Sequence, residues 1–153
     1  MPRFAVERNS ASVEIEGLAA FIAEAKRSSP KLVVLIAEAN FDAANGIVVA
    51  AKTKAQGVSW PGSTATAAKT LGASKSSQRS MVRLGGARAP WAFGAEFGAK
   101  KYKQFAPWRG NQWAGFDTGV GYFLHPAIRE SWPLARDAYL ARVDAAMKAA
   151  FPD

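Results

Sequence analysis

The chain has 153 residues, 49% of them apolar and 21% charged, a composition that suits one soluble domain with a real core. It has no cysteine and one histidine, which excludes disulfides, thiolate metal sites and two-histidine zinc motifs. The net charge of +8 sits in the middle: residues 1–50 carry 5 basic and 6 acidic side chains, residues 51–110 carry 11 and 1, and residues 111–153 carry 4 and 5. Such a zone suits a phosphate backbone, an acidic partner surface, or a solvated face that keeps the chain soluble.

Residues 1–11 read as a flexible N-terminus, without the uncharged apolar run that a signal peptide needs. Val13 and Ile15 alternate with Glu14 and Glu16 before Gly17, the pattern of a short strand ending in a turn. Leu18, Phe21, Ile22 and Ala25 follow at helical spacing. Pro30 stops that helix near Ser28-Ser29 and is well placed to open a second, running to about Gln56. Leu32, Ile36, Ala39, Ala43, Ile47, Ala50 and Lys54 lie on one of its faces. Asn45-Gly46 interrupts it at a cost of about 1 kcal/mol for Gly against Ala, which predicts a kink or a break. The longest apolar stretch, residues 32–37, is too short to span a membrane, so the chain is expected in the cytoplasm.

Residues 57–80 are rich in Gly, Ser, Thr and Ala, with Trp60-Pro61-Gly62 as a turn and a weak helix over residues 64–71. A strand is predicted over residues 80–84, closed by Gly85-Gly86, and residues 90–97 read as a second strand or a strand leading into a helical turn. Residues 98–121 form an extended loop or hairpin that interleaves Lys100, Lys101, Lys103 and Arg109 with Tyr102, Phe105, Trp108, Trp113 and Phe116. After a short apolar stretch, Tyr122-Phe123-Leu124, the last helix is expected from Pro126, bent at Pro133 or restarted there with Ser131 as its cap. The order implies a single α+β domain over residues 1–153: N-terminal helices and a long C-terminal helix packed on a small antiparallel sheet, with a long loop.

Chemistry is sparse. The chain lacks a P-loop pattern and a Gly-x-Ser-x-Gly elbow, and the pattern implies no catalytic, cofactor or metal site. His125 is expected to cap the last helix or sit at a core edge. Glu96, the only acid of the basic middle, is expected to pair with a neighbouring Arg or Lys. Glu96 and Asp117 would be the candidates of a small hydrolase, without other support. Interleaved rings and cations also suit single-stranded nucleic acid, which makes a basic nucleic-acid-binding module the alternative reading. Arg79, Arg83, Arg88, Lys100, Lys101 and Lys103 form the candidate basic surface. Exposed Trp and Tyr are equally favoured anchors in protein interfaces, so Tyr102, Phe105, Trp108, Arg109, Trp113 and Phe116 are the candidate partner-binding residues.

Four segments, in this order, carry a resemblance over about residues 12–150: Val13-Glu14-Ile15-Glu16-Gly17-Leu18; Val82-Arg83-Leu84-Gly85-Gly86; Pro90-Trp91-Ala92 with Glu96-Phe97-Gly98; and Gly121-Tyr122-Phe123-Leu124-His125-Pro126-Ala127-Ile128. They resemble the opening strand, the central hairpin and the start of the final helix in the small neck and tail-completion proteins of long-tailed bacteriophages. Trp91 stands where that family usually has Tyr, His125 where it commonly has Arg, and the loop is longer than the compact family form. The resemblance implies a non-enzymatic virion component of the head–tail connector, a homo-oligomeric ring, sixfold by expectation, between head-proximal rings and tail tube. It implies connector, terminator or tail-tube proteins as partners, DNA in the channel as a further contact, no cofactor and no membrane. The aromatic loop would then be an arm that docks on a neighbouring subunit or ring.

Overall fold

A computed structural model describes residues 3–7, 10–14, 17–59, 63–111 and 119–152. The Trp60-Pro61-Gly62 turn, the Ile15-Glu16 end of the opening strand, and Trp113, Phe116 and Asp117 lie outside the described residues. The architecture is α+β: helices pack on a four-stranded antiparallel sheet of order β1-β2-β4-β3, with β1 Arg3–Glu7, β2 Ser10–Glu14, β3 Gly72–Ala73 and β4 Ser80–Arg83. The helices are α1 Leu18–Ser28, α2 Pro30–Gln56, α3 Ser63–Ala68, α4 Ala92–Phe97 and α5 Leu124–Ala150.

Helix α2 is the axis of the domain. It begins with Pro30 at its first turn, as the missing N–H of proline allows. Leu32, Ile36, Ala39, Ile47, Val48, Ala51 and Ala55 are buried along it. Two sides of α2 are covered, because β3, β4 and α3 pack on it as well as α1 and α5. That double cover carries the helix through Asn45-Gly46 without the break that was one of the two expectations there. The burial of several apolar side chains, each worth about 1.5–3 kcal/mol, outweighs one glycine. By length and composition α2 would also suffice to cross a membrane, with a mean hydropathy of 1.6 in a window that is 39% buried in the fold.

Helix α5 lies along α2 in the opposite direction. The pairs Lys54–Glu130 (2.6 Å) and Asp42–Arg142 fix this, since the numbering rises on one helix as it falls on the other. Two apolar clusters result. The larger joins the C-terminal half of α2 to α3, β4, α4 and the start of α5, with Phe123, Ala127 and Ile128 within it. The smaller joins Ile22 and Ala25 of α1 to Leu32 and Ile36 of α2 and Ala146 of α5. Asn40 links the polar turn before β4 to α2: its side-chain amide donates to the Ser76 carbonyl (2.7 Å), and the Ser80 hydroxyl donates to the Asn40 carbonyl.

Several expectations are corrected here. Arg3–Glu7, expected to be a flexible tail, is a strand: Phe4 and Val6 alternate with Arg3, Ala5 and Glu7 in the sequence, and Glu7 registers with Ser10 of β2. Gly72–Ala73, expected to be loop, pairs with β4. Of residues 90–97, expected to be a strand or a strand leading into a helical turn, Ala92–Phe97 are helix α4. Ala92, Ala95 and Glu96 fall on one helical face and are buried there, a spacing that a short apolar run leaves ambiguous in the sequence. Helix α5 starts at Leu124 rather than Pro126 and continues through Pro133.

Candidate functional site

The early start of α5 has a specific cause. Helix α4 delivers Glu96, 0% exposed, to the N-terminus of α5. Its Oε2 accepts the N–H groups of Phe123 (3.1 Å) and Leu124 (2.9 Å), and its Oε1 accepts that of His125 (2.8 Å). The His125 Nδ1 lies 2.8 Å from the same Oε1, and His125 itself is 3% exposed. The first amides of a helix lack intrahelical partners and carry partial positive charge, so a carboxylate there satisfies both needs. Glu96 is thus a cap supplied from a distant element. The expected pairing with a neighbouring Arg or Lys is replaced by His125 and three backbone amides. His125 is buried at the head of the helix, and its ring lies 5.0 Å from that of Phe97.

The cap anchors the aromatic and basic loop at both of its ends. Gly98 and Gly121 occupy the left-handed region, with φ of 75° and 80°. A Cβ at Gly121 would run into the Glu96 carboxylate, and one at Gly98 into the carbonyls of Ala106 and Pro107. Between them the chain turns back on itself. Ala99 N–H donates to Ala106 O (2.8 Å), Arg109 N–H to Phe97 O (2.6 Å), Gly121 N–H to Arg109 O (3.1 Å), and Tyr122 N–H to Glu96 O (2.8 Å). The Tyr122 hydroxyl donates to Pro107 O (2.7 Å), and the Arg129 guanidinium to Val120 O (2.7 Å). In its described part, residues 98–111, the segment is therefore a compact loop with a fastened base rather than the extended arm expected.

The candidate interface residues separate into two groups. Tyr102 and Trp108 are exposed, 58% and 47%. Phe105 is half-buried with its ring over Gly94, where a side chain would collide with it, so it belongs to the loop's footing. Arg109 is exposed but lies over the Tyr122 ring, 4.2 Å from its centroid, and Lys100 lies over the Trp108 ring at 4.4 Å. Tyr122, which the sequence reading did not single out, is the platform that holds the loop's return strand through its ring and its hydroxyl.

The candidate basic surface also divides. Lys100, Lys101 and Lys103 are exposed on the loop, whereas Arg79, Arg83 and Arg88 are exposed on β4 and its flanking turns, a different part of the fold. Arg83 registers with Gly72 and Ser10, one residue from buried Val82, which puts it on the sheet face opposite α2. Because Glu96 is buried, every exposed charged side chain of residues 51–110 is basic. No cluster of three or more His, Cys, Asp or Glu side chains suited to a metal ion occurs among the described residues.

A groove of about 340 Å³ runs between α2 and α5, lined by Ala39, Ala43, Gly46, Leu134, Ala138 and Tyr139 and bordered by the Asp42–Arg142 pair. Burial raises the Tyr139 phenol above its ordinary value of 10.0. Leu134, at 77% exposure, is the most exposed large apolar side chain among the described residues. Compared with protein-family models, curated proteins and solved structures, the chain finds no match.

Proposed function

We propose that the chain is a non-enzymatic structural component of a phage head–tail connector or tail-completion complex, assembling with copies of itself into a ring. The observation that carries this reading is the loop over residues 98–111, which exposes Tyr102 and Trp108 from a base fastened by Glu96 and Gly121. Large rings held out from a rigid footing lose little conformational freedom on docking, the property that makes aromatic anchors dominate interfaces. The resemblance in the order of four sequence segments points the same way. Glu96 and His125, the acid of the basic segment and the one imidazole, are engaged in capping a helix, which leaves the hydrolase reading without its first acid.

The test is disruption of the gene in the phage that encodes it, with the lysate imaged by negative-stain electron microscopy. Filled heads without tails, or tails of faulty length, are expected. Complementation with the parent chain restores particles, and with the Tyr102→Ala/Trp108→Ala chain it does not, although that chain stays within about 0.5 kcal/mol of the parent's stability, as exposed positions allow. Normal infectious particles after disruption would overturn the proposal.

A second reading is favoured by Lys101 and Lys103 standing beside exposed Tyr102 and Trp108, the combination that stacks bases and neutralises phosphates. It requires retardation of single-stranded DNA or RNA at low salt, lost steeply as salt rises. Absence of retardation at low salt removes it.

A further inference from the structure

Strand β1 ends the sheet on one side. In the order β1-β2-β4-β3 it pairs with β2 and with no other described strand, so its second side is an open edge among the described residues. The opposite edge, β3, is two residues long. The five residues of β1 present backbone N–H and C=O groups along about 17 Å, at 3.4 Å per residue. Such an edge templates pairing with another chain unless proline, a bulge or unmatched charge blunts it. The segment Arg3-Phe4-Ala5-Val6-Glu7 contains no proline and no glycine, and its register with β2 runs unbroken, without a bulge. Its two charges are of opposite sign and stand at its two ends.

The order of these five residues selects a partner. When a second copy of β1 lies antiparallel with Ala5 opposite Ala5, every residue is paired: Arg3 stands opposite Glu7 of the second copy and Phe4 opposite Val6 of the second copy, each twice. Opposite charges, and an aromatic residue facing a β-branched one, are the cross-strand combinations that stabilise an antiparallel pair. Centring on Phe4 or on Val6 would set one charge opposite Ala5 and leave the other outside the pairing. A parallel copy in register would set Arg3 against Arg3 and Glu7 against Glu7, which is unfavourable. The backbone fits the same choice. Alternate residues of a strand turn their N–H and C=O groups to the same side, and centring on Ala5 opposes odd residues with odd and even with even. The outward set of one copy therefore meets the outward set of the other. By register Val6 and Ala11 lie on the face of buried Val82, and even-to-even pairing keeps that face on the same side in both copies.

We propose that two copies of the chain pair through β1, antiparallel and centred on Ala5, and so join their four-stranded sheets into one of eight strands. The contact goes beyond the ring reading above and is independent of it. It is isologous, the same edge on both subunits, and it closes at two copies, whereas a ring repeats a heterologous contact. An edge used in this way is closed to other chains, which protects a strand that carries no blunting residue of its own.

The absence of cysteine makes the test direct. Ala5→Cys places one thiol at the twofold centre, where directly opposed Cα atoms stand about 4.5–5.5 Å apart, a span that a disulfide bridges. Ser12→Cys, opposite Ala5 on β2, would stand about 14 Å from its copy, three strand spacings, and is the control. Mild oxidation of the folded protein is expected to give a disulfide-linked dimer with Ala5→Cys and none with Ser12→Cys. In sedimentation the parent chain is expected to dimerise, and Glu7→Arg to weaken that dimer about tenfold or more, because it opposes like charges twice. Arg3→Glu/Glu14→Arg carries the reverse change and keeps opposite charges at the Arg3–Glu14 register position of its own hairpin. It should likewise fail to pair with itself, while an equimolar mixture of the two variants restores the dimer, a rescue that a folding defect in either chain could not produce. If either variant melts below the parent, the two cysteine variants decide. A parent chain monomeric at all concentrations, an Ala5→Cys protein that forms no disulfide, a Ser12→Cys protein that forms one equally well, or charge variants that dimerise alone or are not rescued on mixing would each overturn the proposal. A ring seen by electron microscopy in which Ala5→Cys forms no disulfide would overturn this contact and leave the ring reading standing.

Discussion

Replacing Glu96 with alanine should destabilise the domain more than any surface change, and the size follows from its contacts. The carboxylate is fully buried and meets three backbone N–H groups and the His125 ring, all within 3.1 Å. Hydrogen bonds to a charged group contribute about 1.5–3 kcal/mol each, and loss of a helix cap costs about 0.5–2 kcal/mol. These values overlap because one carboxylate makes all four contacts. Removing one partner of a buried charged network costs about 3–5 kcal/mol, which we take as the expectation for Glu96→Ala. At about 2–4 °C per kcal/mol for a chain of this size, the melting temperature should fall by about 6–20 °C. Glu96→Gln keeps the volume and one acceptor but presents an amide donor to the His125 N–H or ring, so about half the loss is expected. Calorimetry and urea unfolding at unchanged slope are the assays. A Glu96→Ala protein melting within about 2 °C of the parent would refute the capping argument.

Two further outcomes follow from the same region and from the groove. Gly121→Ala places a Cβ against the Glu96 carboxylate at a φ that alanine disfavours, and should cost about 2–4 kcal/mol by the same melts; a neutral result would mean that the loop base is not tightly held. Tyr139 has its phenol pKa raised by burial, so its contribution to stability is fully present below pH 10 and is lost as pH rises through the folded value. Tyr139→Phe should remove that component of alkaline destabilisation, measured by urea midpoints from pH 8 to 11, and an unchanged alkaline slope would contradict the burial of its hydroxyl.

The helices were legible where periodicity and punctuation agreed. Phe21, Ile22 and Ala25 marked α1, Pro30 marked the join, and α2 followed its stripe, although the predicted face caught only the part turned one way. A helix buried on two sides shows no clean polar face, which is why Ala44, Val48 and Ala51 were not singled out while Ala43 and Ala50 were. Residues 90–97 stayed open between strand and helical turn because the seven residues between Pro90 and Gly98 are too few to separate period 2 from period 3.6. Of the site, the segment that carries the rings was readable from its aromatic and basic composition, but composition did not separate exposed Tyr102 and Trp108 from half-buried Phe105. The Glu96 cap was not: its partners are 27–29 residues away, and nothing local announces that an acid on one short helix completes the first turn of another.

That distant cap changes what the loop can do. An unanchored arm of about twenty residues would have to be ordered on docking, at about 1–2 kcal/mol per residue in backbone entropy alone, more than a small aromatic contact returns. Here the ordering is already made in the folded chain, by the glycines that allow the close approach and by the amides and carboxylate that hold it. What remains free is the exposed tip, Tyr102 and Trp108 with their lysines. The buried acid also leaves the exposed charge of residues 51–110 wholly basic, the sign that suits the acidic or phosphate-bearing surface of the proposed assembly. If the loop docks as proposed, weakening the cap should reduce incorporation into particles as well as stability, because the tip would lose its footing before the rest of the domain unfolds.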